Sequence, residues 1–212
     1  MNKPFSPACE RNRDPILEVL VEWLAQRRSV LEIGSGTGQH AVHFARHLRQ
    51  LRWQTSDRNE MLAGIRLWLD EAGLPNTPPP LSVDVNHGLP DRRDDAVFTA
   101  NTLHIMSWTE VERLFAQLPR VLASDALLIV YGPFKYHGSH TSASNQAFDQ
   151  ALRADAPHRG IRDFEAVDAL ARAAGLLLAQ DHPMPANNRC IVWRRRGEAQ
   201  AEQTGQATAV AD

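Results

Sequence analysis

The sequence predicts an α/β protein: a doubly wound, mostly parallel seven-stranded sheet with an antiparallel last strand and helices on both faces. Three observations predict it. Short apolar runs alternate with helix-period segments along the chain, the pattern of parallel βαβ units. The first apolar run ends in a glycine-rich loop that opens a helix. The last two runs have no helix between them, so the final strand should turn back antiparallel, at or near a sheet edge.

Each element has its own local reason. Asp14 can cap, and Pro15 open, a first helix whose Ile16, Leu17, Leu20, Val21 and Leu24 share one face. Residues 29–33 (SVLEI) form a short apolar run ending at glycines, as a buried parallel strand should. A helix over 40–48 and a strand over 51–56 follow. Residues 61–72 are amphipathic and closed by Gly73, before a proline-marked loop and a weak third strand at 80–83. Residues 95–100 read as the fourth strand, 108–118 as a helix ended by Pro119, and 126–131 (ALLIVY) as the central strand. Helices at 145–153 and 163–174, the second closed by Gly175, precede a final strand pair at 176–180 and 189–194. One domain over 1–196 is expected, with the polar, alanine-rich 197–212 as a disordered tail.

Composition narrows the function. A chain of 212 residues, 43% hydrophobic and 23% charged, has material for one sizeable core. A net charge of −2 gives no general attraction to nucleic acid or to anionic membranes. Of 23 basic residues only Lys3 and Lys135 are lysines, which reads as composition bias. Cys9 and Cys190 match no metal-ligand or redox spacing, so free thiols in a reducing cytosol are expected and no metal. The N-terminus lacks a signal-peptide h-region, and no apolar run approaches the roughly 18 residues of a membrane span. The expected location is cytoplasmic.

The chemistry concentrates in Leu31-Glu32-Ile33-Gly34-Ser35-Gly36-Thr37-Gly38-Gln39-His40. Glycines there let a ligand approach the backbone, and the following helix offers free N–H groups. Dinucleotide loops read G-x-G-x-x-G; here the order is G-x-G-x-G, and Gln39 stands where the last glycine would fall. Glu32, two residues before the first glycine, suits a cationic, amine-bearing ligand and would repel a pyrophosphate. The loop therefore fits S-adenosylmethionine better than NAD. Asp57, beside Arg58 at the end of the second strand, is placed for ribose hydroxyls, and Asp84-Val85 after the third for adenine. Taken singly, Asp57 can be a helix cap and Asp84 a loop residue. Two other readings stand beside this one: an NAD(P)-dependent reductase on the same alternation, and a non-catalytic S-adenosylmethionine-binding or scaffold protein.

The chain also resembles a bacterial and eukaryotic family named methyltransferase-like twenty-six in animals. The stretches that carry the resemblance are SPACERNRDPILEVL, VLEIGSGTGQHAVHFA, ANTLHIMSW, YGPF, GIRD and MPANNR. The resemblance implies a Rossmann-like class I methyltransferase fold with S-adenosylmethionine as cofactor, and names no acceptor. The near-neutral charge points to a small-molecule O, N or S nucleophile. Polar residues on the loops after the later strands are the candidates to meet it. Asn101 either holds the methionine portion or caps the next helix. His104 is either a general base or a packed structural ring. Tyr131, Lys135 and His137 follow the fifth strand, with a polar loop as the alternative reading. Arg162 either grips an acceptor carboxylate or pairs with Asp163. Asn187 and Asn188 form either a turn or a wall of the site. Glu10, Arg11 and Asn12 either close over the cofactor, Arg11 pairing with its carboxylate, or anchor the first helix.

Overall fold

The computed structural model describes residues 2–195. In chain order the elements are α1 (Pro7–Leu24), β1 (Ser29–Ile33), α2 (Gln39–His47), β2 (Arg52–Asp57), α3 (Leu62–Ala72), β3 (Leu81–Ser82), β4 (Asp94–Ala100) and α4 (Trp108–Val121). There follow β5 (Leu122–Gly132), β6 (Phe134–Tyr136), β7 (Ser139–His140), α5 (Ala143–Asp155), β8 (Arg162–Asp163), α6 (Phe164–Ala173), β9 (Leu176–Met184) and β10 (Asn188–Arg195). The tail expected to be disordered lies outside the described residues.

Seven strands make one sheet in the order β3-β2-β1-β4-β5-β10-β9. Neighbours from β3 to β5 pair parallel, whereas β10 is antiparallel to both β5 and β9. Only a turn at Pro185–Asn187 joins β9 to β10, too short for a crossover, so the two form a hairpin. The expected antiparallel last strand is therefore present, one place in from the edge.

Burial on both faces explains why β5 reads as an unbroken apolar run. Leu127 and Ile129 pack into a core with Ile16, Leu20, Phe44 and Trp53 from the α1–α3 side. Leu128 and Val130 point the other way, into a core with Leu114, Phe115, Val167 and Trp193 from the α4 and α6 side. The period-2 alternation assigns each residue to a layer.

Three sequence expectations are corrected. The first helix starts at Pro7, capped by Ser6, whose hydroxyl accepts from the Cys9 N–H at 3.4 Å. Pro15 lies inside that helix; burial of Ile16, Val19, Leu20 and Leu24 outweighs the ~3 kcal/mol an internal proline costs. Likewise α4 runs through Pro119 to Val121. The small sheet β7-β6-β8 was not anticipated, because strands of two or three residues leave no periodic pattern.

Candidate functional site

The carboxyl ends of the parallel strands open on one cavity of about 1150 Å³. The loop after β1 forms its floor. Gly34, Gly36 and Gly38 all sit at positive φ (72°, 59° and 90°), a conformation only glycine adopts without strain. A Cβ on Gly34 would lie 2.7 Å from the Thr102 Oγ1, and one on Gly38 would lie 3.2 Å from the Ile65 Cα. These two glycines let the loop pack against its neighbours. Gly36 differs: a Cβ there meets nothing within 4 Å. Its backbone is left open to a ligand.

Asp57 ties the end of β2 to this loop. Its Oδ2 accepts the Gly36 N–H at 2.7 Å and its Oδ1 the Arg58 N–H at 2.7 Å. Burial pushes its carboxyl pKa up despite those bonds. Asp84 accepts from the Asn86 N–H at 2.8 Å, while Val83 and Val85 put apolar surface beside it on the wall.

Glu32 departs from expectation. Its side chain is buried behind the loop and is not part of the cavity wall; Oε2 accepts from the Ser35 hydroxyl at 2.9 Å and the Trp53 indole at 3.0 Å. Desolvation, helped by the nearby Asp57 charge, raises its pKa to about 7. Its direct work is to shape the loop.

The cavity brings together Gly34, Ser35, Gly36, Thr37, Asp57, Arg58, Asp84, Val85 and Asn101 with Arg11 and Asn12 from α1, and with His104, Tyr131 and Asn188. Gly38 and Asn187 lie off the wall, as do Lys135 and His137. Asn101 does not cap α4, since Ser107 and Glu110 form a capping box there. It sits instead at φ 57° on the wall, its N–H donating to the Tyr131 carbonyl at 2.8 Å. Arg162 takes neither expected role. Its guanidinium donates to the carbonyls of Leu103 (3.0 Å), Met106 and His158 (3.1 Å), while Asp163 pairs with Lys135 at 3.2 Å. Asn187 is a turn residue at φ 57°; its carbonyl accepts from the Asn145 amide at 3.0 Å. Glu10 anchors α1 by accepting from the Gln39 amide at 2.9 Å.

His104 is buried on the wall, edge-on to Phe148 with ring centroids 5.4 Å apart. Burial, then the charges of Arg162 and Arg159, lower its pKa to about 4, so the ring is neutral at physiological pH. Sequence reasoning missed His40, whose Nε2 meets the Asn12 Oδ1 at 2.7 Å and whose pKa burial also lowers to about 4. Its place in the first turn of the helix after the glycine loop was the available signal. It also missed Ile105, Met106, Phe148 and Ala186, which line the cavity; the first two and the last fall in stretches that carry the resemblance, but apolar side chains give no chemical signal of a site.

A family model described as "Protein of unknown function (DUF938)" matches residues 3–195. The chain belongs to that family. Among solved structures, an O-methyltransferase family protein from Burkholderia thailandensis superposes with a TM-score of 0.77 at 17% identity, over 90% of this chain and 58% of that one. The S-adenosylmethionine-dependent methyltransferase SibL in its apo form gives 0.76 at 20% identity, over 89% and 56%. PigF with SAH gives 0.73 at 17%, over 85% and 55%. These likenesses establish the fold of the DUF938 chain, which spans a little over half the length of each of the three.

Proposed function

We propose that this chain is an S-adenosylmethionine-dependent methyltransferase acting on a small-molecule acceptor, a cytoplasmic single-domain enzyme of residues 1–196, and the counterpart of the animal family methyltransferase-like twenty-six. One observation carries the reading: an unobstructed Gly36 backbone, held by the Asp57 carboxylate, facing a large cavity at the strand ends. The fold shared with SibL and with PigF bound to SAH supports the same cofactor.

The residues present suit that cofactor. Asp57 offers its carboxylate to ribose hydroxyls, with Arg58 beside it. Asp84 can accept from the adenine amino group while Val85 covers the ring. The backbone of Gly34, Ser35, Gly36 and Thr37 takes the amino-acid portion, aided by Asn101, Arg11 and Asn12. Glu32, lying behind the loop, fixes Ser35 and adds negative potential when ionised. When bound, the cofactor supplies an electrophilic methyl group on a sulfonium. The protein's part is alignment and exclusion of water, and neutral His104 is a wall residue able to receive an acceptor proton on the β4–β5 side. Tyr131 and Asn188 flank the acceptor; Arg162 and Asn187 support the wall from outside it.

Calorimetry with S-adenosylmethionine and its demethylated product tests the first half. No heat of binding at millimolar ligand would end the proposal. Incubating a metabolite extract with methyl-labelled cofactor tests the second half, and a labelled small product is the expected result.

A further inference from the structure

The charged side chains of the cavity wall are not evenly spread. Asp57, Arg58, Glu60, Asp84 and Glu110 all belong to the β2 and β3 side; Glu110, though on α4, bonds to Asn86 in the loop after β3 at 3.1 Å. The opposite end is built from the β4–α4 loop, the end of β5, the start of α5 and the β9–β10 turn. Among the described residues those four segments contribute Ile105, Met106, Pro133, Phe148 and Ala186 to the wall beside uncharged polar groups such as Tyr131 and Asn145, with no carboxylate and no lysine or arginine, and with His104 as their imidazole. Arg162, whose charge bears on His104, is turned onto backbone carbonyls. Arg11, the remaining cation of the wall among the described residues, stands exposed on α1.

We propose that this end of the cavity receives an uncharged, largely apolar hydroxyl or thiol compound, with Phe148 as its docking surface and His104 as its polar anchor. The inference rests on the methyl-transfer reading above and adds the class of acceptor. An ionic acceptor would lose its hydration there without gaining a partner of opposite charge. Phe148 is 42% exposed although it edges the cavity, leaving an aromatic face for an apolar ring to cover. A neutral imidazole accepts the hydrogen bond of a hydroxyl or thiol, which sets the heteroatom's direction. Ala186 is held at φ 56°, a conformation that favours glycine, by a turn whose Asn187 carbonyl is fastened to Asn145. That hydrogen bond holds the strained turn, and with it the wall, against α5. In the transfer, the acceptor's oxygen–carbon or sulfur–carbon bond forms as the sulfonium's bond to the methyl carbon breaks. The electron pair of the broken bond stays on sulfur, which leaves as a neutral thioether. The acceptor's proton passes through His104 to water.

The test uses the full chain saturated with S-adenosylhomocysteine and titrated calorimetrically with 2-naphthol or 2-naphthoate. The alcohol should bind at least about tenfold more tightly than the carboxylate. Phe148→Ala, an exposed position on α5, should weaken the alcohol about tenfold and leave S-adenosylhomocysteine binding unchanged. Equal or tighter binding of the carboxylate would overturn the proposal. So would unchanged affinity of the alcohol in Phe148→Ala, or no binding of the alcohol to a protein that binds S-adenosylhomocysteine. A protein that fails to bind S-adenosylhomocysteine sinks the cofactor reading itself, and that outcome is seen before any acceptor is added.

Discussion

Replacing Glu32 by Gln should make the protein more stable above neutral pH and leave it unchanged in acid. Glu32 is 2% exposed, with two neutral donors, the Ser35 hydroxyl and the Trp53 indole, and no cation among its hydrogen-bond partners. Burial lifts its pKa from 4.5 to about 7. Between those values the folded chain keeps a proton that the unfolded chain gives up, so stability falls as pH rises. Each pH unit across that interval costs ~1.4 kcal/mol, and a carboxylate fully ionised above pH 7 therefore costs the native state about 3 kcal/mol. Glutamine keeps an oxygen for both donors and carries no charge, so it removes that cost. For a domain of this size the gain corresponds to a melting temperature roughly 6–12 °C higher. Urea unfolding of both proteins at pH 4 and pH 8 is the assay. The difference should be near zero at pH 4 and about 3 kcal/mol at pH 8 in favour of Glu32→Gln. A variant less stable than wild type at pH 8 would refute the reasoning, because it would show that the ionised carboxylate is a net stabiliser where it sits.

Four further outcomes follow from the geometry. Gly36→Val places a branched side chain in open cavity space at φ 59°, a backbone strain of about 1–3 kcal/mol, so the protein should stay folded by circular dichroism with a lowered melting temperature while calorimetry finds no cofactor binding. Asp57→Ala removes the acceptor of two backbone N–H groups along with the proposed ribose contacts; at about 1.5–3 kcal/mol per charge-assisted bond, cofactor affinity should fall at least about tenfold. Arg162→Ala leaves three carbonyls without their donor and should lower stability by about 2–4 kcal/mol in denaturant titrations, without preferentially weakening an acidic acceptor. His104 has a folded pKa near 4 against an ordinary 6.5, so between those values the unfolded chain binds the proton and stability falls as pH drops. Replacing it with Gln should flatten that acid-side loss in unfolding curves taken at pH 7 and pH 5.

Most of the architecture was legible because it is written in local patterns. The runs at β1, β4 and β5 are apolar on both faces, and helix-closing residues such as Gly73 mark their elements wherever they occur. Asp57 was legible too, since the end of the second strand lies at a fixed interval from the glycine loop. Pro15 and Pro119 misled because a local penalty says nothing of the packing that overrides it. Glu32 and Arg162 misled for a related reason: residue type and position indicate what a side chain can do, and the neighbours decide which way it points.

The sequence by itself therefore determined the alternating layers, the antiparallel return of the last strand, and a loop whose spacing suits a nucleoside carrying positive charge. Only the tertiary structure decided which polar groups face the cavity and which serve the frame. It seated Glu32 under the loop, spent Arg162 on three carbonyls, and brought His104, Phe148 and Ala186 together from segments as much as 82 residues apart. Hydrophobic periodicity acts over a few residues and can be read along the chain. A cavity wall is made of side chains whose nearness depends on how separate layers pack, and that information exists only once the chain has folded.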